Sequence, residues 1–331
     1  MLRCLVLYFL ILLPVLAVPA GATVVIDLYE ARVPVSERSD AALNEAARRA
    51  LSQVFVKVSG SEAVLTYPDV SAALGKARSY VQQYAFVAED GGLLARFEFD
   101  SLVISAIVSE AGAPLWTANR PEVLIWLVVD TPQGRRFVTP DTDPEQVALL
   151  REAFNQRGVP VRLPLFDLSD AAALTPDQAW SQSSAALRAA SDRYGVSEIL
   201  AGRAAPLSTG SWVGDWAYLT DSYRLDRSIT ASDDGEFVRR GVVVVAEDMA
   251  SRYAVSSASS QSSGGVTMVV DGVRSYGDYA GIVSWLEGLE LIQHANVEQI
   301  RGEQIELRLI ARADASQLSS IIELNDRLVP L

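Results

Sequence analysis

The chain has 331 residues, of which 50% are hydrophobic, and a formal net charge of −13. Such acidity excludes nucleic acid and anionic lipid headgroups as expected partners, because both need a concentrated cationic face. The one cysteine, Cys4, lies close to the N-terminus, so residues 23–331 contain none. This composition excludes disulfides, thiol nucleophiles and cysteine metal sites from that part of the chain.

The first 22 residues have the pattern of a signal peptide. Arg3 supplies a positive charge, Leu5–Leu16 form an apolar run, and Ala20–Ala22 have the small-x-small spacing of a cleavage site. We therefore predict cleavage after Ala22 and a periplasmic protein. The alternative is an uncleaved membrane anchor, although the run is shorter than the roughly 20 residues that cross a bilayer.

Two joints divide the rest of the chain into three small α/β (α+β) domains. Residues 256–265 are Ser, Gly, Ala and Gln, a composition typical of a flexible linker. An earlier joint is expected between Pro114 and Pro121. The domains expected from these joints are an N-terminal α+β domain (23–118), a middle α/β domain (119–255) and a C-terminal ferredoxin-like domain (266–331).

The N-terminal segment mixes strand and helix patterns. A stripe with four-residue spacing runs from Ala42 to Val58; Ser39 or Asp40 caps this helix and Gly60 ends it. The other elements expected here are a strand at Val24–Val35, a second helical stripe from Val70 to Tyr84, a turn at Gly91–Gly92, a strand at Leu93–Phe99 and a helix at Ser101–Glu110 capped by Asp100.

The middle segment alternates strands and helices, which predicts parallel βαβ units with right-handed crossovers. A hairpin and a closing helix follow them. The elements expected are strand Val123–Val129, helix Pro144–Gln156, strand Val159–Leu165, helix Asp177–Tyr194, strand Glu198–Arg203, hairpin strands Trp212–Leu219 and Tyr223–Ile229, and helix Glu236–Ala254. The β-favouring run Val242–Val245 argues against that last helix.

The last segment has the βαββαβ order of a ferredoxin-like domain. Its elements are expected at Val266–Val273, Asp278–Leu289, Leu291–Ile300, Glu303–Arg312, Ala315–Glu323 and Arg327–Leu331.

Several runs resemble domain-of-unknown-function family 2066. They are Ala42–Gly60, Ser79–Tyr84, Arg193–Val196, Leu200–Arg203 and Trp212–Trp216. The resemblance implies an exported proteobacterial protein with no catalytic residues to carry over. More remotely, the first segment is similar to the N-terminal module of a flagellar-ring assembly protein, and the middle segment to the N-terminal domain of TolB and related outer-membrane assembly factors. Such fold-level similarity does not define a function.

A search for catalytic or metal-binding motifs finds none. His294 is the one histidine and has neither a second imidazole nearby in sequence nor an HExxH helix around it, so we predict no metal or triad role. Gly75-Lys76 lacks the glycine spacing and the following Ser or Thr of a phosphate loop. We therefore predict no cofactor and no catalytic residue.

One strand carries a candidate binding face. Alternation places Trp212, Trp216 and Tyr218 on one face of the strand, with Asp215 between them in sequence. Such a face can stack on sugar rings or a peptide. It can equally cover the core of the middle domain, and aromatic stripes do so more often.

Two functions remain. The first is a non-catalytic periplasmic protein that binds or assembles with an envelope protein, and that meets the membrane only through an uncleaved signal segment. The alternative is a carboxylate-dependent protein that binds or cleaves cell-wall glycan through the strand with Trp212, Asp215 and Trp216. Glycan cleavage needs a second carboxylate, which the sequence does not identify.

Overall fold

A computed structural model describes residues 23–89, 92–255, 265–289, 291–311, 313–324 and 328. The predicted signal segment, residues 256–264 of the predicted linker, Gly91 of the predicted turn and all of the predicted last strand except Leu328 lie outside these residues. Within them the fold is mixed α/β, as predicted. None of the helices in the described ranges combines the length and apolar composition that a membrane span needs.

The N-terminal segment folds as helices packed on a three-stranded antiparallel sheet of order β2-β4-β3. The short strand β1 instead pairs with β5 (Asn119–Arg120), ahead of the middle sheet. The elements are β1 (Thr23–Val24), β2 (Glu30–Pro34), α1 (Asp40–Ser59), α2 (Pro68–Leu74), β3 (Val81–Glu89), β4 (Gly92–Phe99) and α3 (Ser101–Glu110).

Both predicted caps of this segment are confirmed. The Ser39 side chain accepts a hydrogen bond from the Ala42 amide at the start of α1. The Asp100 carboxylate accepts from two amides at the start of α3. Helix α1 ends at Gly60, which has a φ of 77°, and a Cβ there would lie 2.3 Å from the Cβ of Ala250. Only glycine fits this left-handed, closely packed position.

Two predictions for this segment are wrong in part. The single strand expected over Val24–Val35 is interrupted by a turn between β1 and β2. The helix expected from Val70 to Tyr84 stops at Leu74, and the chain enters β3 at Val81. Residues from Val81 onward are rich in valine and aromatics, and pairing with β4 decides in favour of a strand.

The middle segment forms a six-stranded sheet of order β11-β10-β9-β6-β7, with β8 beside β6. As predicted, its centre is parallel and is followed by an antiparallel hairpin. Its further elements are β6 (Val123–Thr131), β7 (Gly134–Phe137), α4 (Pro144–Arg157), β8 (Val161–Arg162), α5 (Leu168–Ala173), α6 (Pro176–Trp180), α7 (Ser184–Ser191), β9 (Glu198–Pro206), β10 (Trp212–Leu219), β11 (Arg224–Ala231) and α8 (Asp234–Tyr253).

Helices α4 and α8 cover one face of this sheet, and the short helices α5 to α7 cover the other. The helix expected over Asp177–Tyr194 is broken at Gln182, which has a φ of 51°, and the strand expected over Val159–Leu165 contracts to β8. The closing helix α8 forms despite its valine run, because Val242 and Val245 are buried in the core shared with the sheet. Tertiary packing outweighs β propensity there.

The described part of the C-terminal segment has the first five elements of the predicted order, strand, helix, strand, strand and helix. Strands β12 and β13 both run antiparallel to β14, which lies between them. This is the split βαβ arrangement of the ferredoxin-like fold. The elements are β12 (Val266–Val270), α9 (Tyr276–Glu287), β13 (Ile292–Arg301), β14 (Gln304–Ala311) and α10 (Ala315–Glu323).

The side chain of Arg120 is completely buried where the first and middle segments meet. It stacks on the Trp116 indole, with the guanidinium carbon 3.8 Å from the ring centre. Its nitrogens donate hydrogen bonds of 2.7–3.2 Å to five backbone carbonyl groups, those of Lys57, Trp116, Thr117, Arg157 and Gly158.

Three of these carbonyls lie at helix ends. Lys57 is in the last turn of α1, and Arg157 and Gly158 close α4. The last carbonyls of a helix have no donor within the helix and carry the negative end of its dipole. Arg120 therefore satisfies the ends of two helices from different segments with one cation.

Arg120→Lys is expected to lower the free energy of unfolding by about 3–5 kcal/mol. A lysine ammonium has three donors for five buried carbonyl groups, so some are left without a partner. Urea unfolding measures the change. As a control, Arg32→Lys alters an arginine whose side chain is 59% exposed and should stay within about 0.5 kcal/mol. Equal effects of the two substitutions would contradict the role assigned to Arg120.

Candidate functional site

A cleft of about 460 Å³ lies where the parallel strands β6 and β9 end. Ligands of α/β sheets bind at this position, outside the carboxyl ends of the strands. Helices α4 and α8 both begin beside it, and β10 begins there as well. We call it the strand-end cleft. Its lining residues include Arg136, Asp143, Glu145, Gln146, Trp212 and Asp234.

One wall of the cleft is an internal ion pair. Asp143 precedes α4, but its carboxylate does not cap the helix. It accepts hydrogen bonds from both terminal nitrogens of Arg136 and from the Thr142 hydroxyl. Burial alone would raise the pKa of Asp143, but these hydrogen bonds hold it below its ordinary value. This carboxylate and this guanidinium are therefore occupied by each other.

Gln146 differs from Gln178 and Gln317, two other glutamines that occupy the third residue of a helix. It is the third residue of α4, where a glutamine side chain ordinarily closes a capping box. Gln178 and Gln317 close such boxes at the starts of α6 and α10. Gln146 is only 9% exposed and lines the cleft, yet its side chain makes no hydrogen bond to any described residue. Since Gln146 lines the cleft, its amide has a hydrogen-bonding capacity there that no described residue uses.

The structure separates the aromatic residues of the predicted binding face. Trp212, Trp216 and Tyr218 do share one face of β10, but Trp216 and Tyr218 are fully buried under α8. The Trp216 ring stacks on Phe237 with centroids 5.1 Å apart, and its Nε1 donates to the Phe237 carbonyl. These two rings form core and offer no surface to a ligand. Only Trp212, which is partly buried, lines the strand-end cleft.

Tyr218 belongs to a buried polar network at the end of the strands opposite the strand-end cleft. Its hydroxyl donates to Glu198, the first residue of β9, and accepts from Nη2 of Arg252 at 2.6 Å. Arg252 also donates to Glu198 at 2.9 Å. Burial raises the pKa of Tyr218 far above its ordinary value. The three groups satisfy one another and hold α8 against the sheet.

Asp215 lies on the other face of β10, away from the three aromatic rings. Its carboxylate accepts hydrogen bonds from Nε of Arg203 at 2.8 Å and from the Ser228 hydroxyl at 2.6 Å. Burial alone would raise the pKa of Asp215, but the bonds from Ser228 and Arg203 lower it below the ordinary value. A general acid needs a raised pKa, so this environment suits a charged structural carboxylate.

A family model described as a domain of unknown function (DUF8605) matches residues 22–117. The match thus spans the N-terminal segment and ends before the middle sheet, which carries the strand-end cleft. No curated protein matches the chain.

The predicted resemblance to family 2066 is wrong, because the family model that matches is DUF8605. The run Ala42–Gly60, on which that prediction chiefly depended, lies inside the match. It is an alanine- and valine-rich amphipathic helix with a serine cap and a terminal glycine, a pattern that many unrelated helices share. The comparisons also give no support to the remote similarity with flagellar-ring and TolB modules.

Sequence reasoning missed Gln146 and the Arg136–Asp143 pair. The available signal was the start of α4, where Asp143, a proline and Gln146 follow the β7 hairpin. A glutamine three residues after a capping aspartate predicts a capping box. The pattern alone does not reveal that the Asp143 carboxylate pairs with Arg136, or that the Asp143 amide donates to the Thr139 carbonyl and not to the glutamine side chain.

Asp215→Asn is expected to lower the free energy of unfolding by about 1–2 kcal/mol at pH 7, since it weakens charge-assisted hydrogen bonds at a partly exposed site. The pKa of Asp215 is lower in the folded than in the unfolded chain. Its contribution is therefore present above the unfolded value, about pH 4, and is lost as the pH falls through the folded value. Urea unfolding at pH 7 and at about pH 3 should show the difference shrinking.

The exposed residue Asp141 provides the control for this pH dependence, because its carboxylate makes no hydrogen bond to a described residue. Asp141→Asn should change stability little at either pH. A destabilisation by Asp215→Asn that is the same at both pH values would contradict the ionic role of Asp215.

Proposed function

We propose that the chain is an exported envelope protein that binds a partner protein and does not catalyse a reaction. Arg3, the apolar run Leu5–Leu16 and the site at Ala20–Ala22 support export. The absence of cysteine from residues 23–331 is compatible with an oxidising compartment. The net charge of −13 favours a partner with basic groups over nucleic acid or an anionic membrane.

The main observation that supports the proposal is the pairing of polar side chains within the protein. Around the middle sheet, the charged groups that reasoning from the sequence would assign to chemistry are occupied by protein partners, as with Asp215 and Arg203. Among the described residues, every carboxylate with a shifted pKa has it shifted downward, away from the range of a general acid. The open groups at the strand-end cleft are the Gln146 amide, the Trp212 ring and the carboxylates of Glu145 and Asp234. Such groups can recognise a ligand.

Cell fractionation with N-terminal sequencing, followed by crosslinking in intact cells, tests this function. We expect a periplasmic product that starts at Thr23 and a crosslinked envelope protein that mass spectrometry identifies in repeated experiments. A variant with Leu10→Arg and Leu12→Arg interrupts the apolar run and should stay unprocessed, without that partner.

An unprocessed wild-type chain that stays inside the cell would contradict the proposal of export. A processed chain that crosslinks to no envelope protein would contradict partner binding. Release of cell-wall fragments by the purified chain, abolished by Asp215→Asn, would favour the glycan enzyme instead.

A further inference from the structure

The strand-end cleft has the features of a receptor for one basic side chain. Resting on the proposed function, we infer that the cleft binds an exposed arginine of the partner protein. Three features of the cleft lead to this ligand: its net negative charge, its partly buried indole and its unpaired buried amide.

The charge of the cleft is negative once its internal pair is discounted. Arg136 and Asp143 neutralise each other, which leaves the carboxylates of Glu145 and Asp234. Neither of these two forms an ion pair with a described residue. They lie in the first turns of α4 and α8, where the helix dipoles would otherwise attract an anion. With carboxylates already there, an anionic ligand is repelled and a cation is attracted.

Trp212 adds a surface on which a cation can stack. A guanidinium within about 6 Å of an indole centre is attracted by the ring, and more strongly where water is excluded. Arginine–indole contacts of this kind occur among the described residues, for example with Arg120 3.8 Å from the ring centre of Trp116 and Arg135 4.6 Å from that of Trp180.

Gln146 decides between arginine and lysine. Its amide oxygen and the Glu145 and Asp234 carboxylates place hydrogen-bond acceptors on three side chains of the cleft. A guanidinium presents five N–H donors in one plane, whereas an ammonium presents three around a point. A set of acceptors beside an aromatic ring therefore fits arginine better. The volume of about 460 Å³ is within the ordinary range of small-ligand pockets.

Calorimetric titration with two blocked tripeptides tests the ligand. One is N-acetyl-glycyl-arginyl-glycinamide, and the other carries citrulline, the neutral analogue of arginine with nearly the same shape. We expect saturable binding of the arginine peptide, weakened at least about tenfold by citrulline and weakened further by added salt. Equal binding of both peptides, or no saturable binding of the arginine peptide up to about 10 mM, would overturn the inference.

Gln146→Leu tests the site independently of the ligand's charge. It replaces an amide that has no partner among the described residues with an apolar side chain of similar size, so the melting temperature should change little. Affinity for the arginine peptide should fall at least about tenfold. A purely structural role for Gln146 predicts the reverse, a lower melting temperature and unchanged affinity.

Gln182→Leu is the matched control. Gln182 is also buried, at 4% exposure, but its amide nitrogen donates to the carbonyls of Ala201 and Asp215. The same substitution should therefore lower the melting temperature and leave peptide affinity within about twofold. If Gln146→Leu leaves peptide affinity unchanged, the cleft is not the site, whereas capture of an identified envelope partner would still support the proposed function.

Discussion

The buried guanidinium of Arg120 is the interaction on which the arrangement of this protein depends. It joins the carboxyl end of α1 to the carboxyl end of α4 through backbone carbonyl groups of both. The chain around it is shaped to allow this contact. Gly158 has a φ of 63°, and a Cβ there would lie 2.7 Å from Nη1 of Arg120. The first and middle segments are thus joined by a cation that donates hydrogen bonds to main-chain carbonyl groups of both.

The same contact fixes the strand-end cleft from a distance. Helix α4 has 14 residues, which span about 20 Å, and Arg120 holds one end while Gln146 lies near the other. The cleft itself is lined in part by polar side chains that have no partner among the described residues, such as Gln146. Asp143 could have capped α4, but its carboxylate pairs with Arg136. Its backbone amide, to which the Gln146 side chain would bond in a capping box, donates to the Thr139 carbonyl instead. At the opposite end of the strands, Glu198, Tyr218 and Arg252 form hydrogen bonds with one another. The sheet thus has polar groups without protein partners at the carboxyl ends of its parallel strands, and a satisfied polar network at the opposite end. This difference is consistent with ligand binding at the carboxyl ends.

Reasoning from the sequence succeeds where the signal is local. Caps at Ser39 and Asp100 fix the starts of α1 and α3, and the pattern of the C-terminal segment predicts the order of its five described elements. It fails where long-range contacts decide. The Val81–Glu89 run forms a strand because β4 pairs with it. Alternation correctly groups Trp212, Trp216 and Tyr218, but it cannot tell which side α8 covers. Arg120 looks like any other arginine in the sequence, because three of its five acceptors are carbonyl groups from two distant parts of the chain, at Lys57 and at Arg157 and Gly158. The sequence does not indicate the environment of Gln146 either, because that environment also depends on tertiary contacts.

Hydrogen–deuterium exchange on Arg120→Lys and on the unchanged chain tests the central claim that one cation holds two segments and, through α4, the cleft. We expect a concerted loss of protection in α1 and in α4 up to Gln146. Loss of protection confined to α1, with α4 protected as before, would contradict it, because the two helix ends would then be stabilised independently.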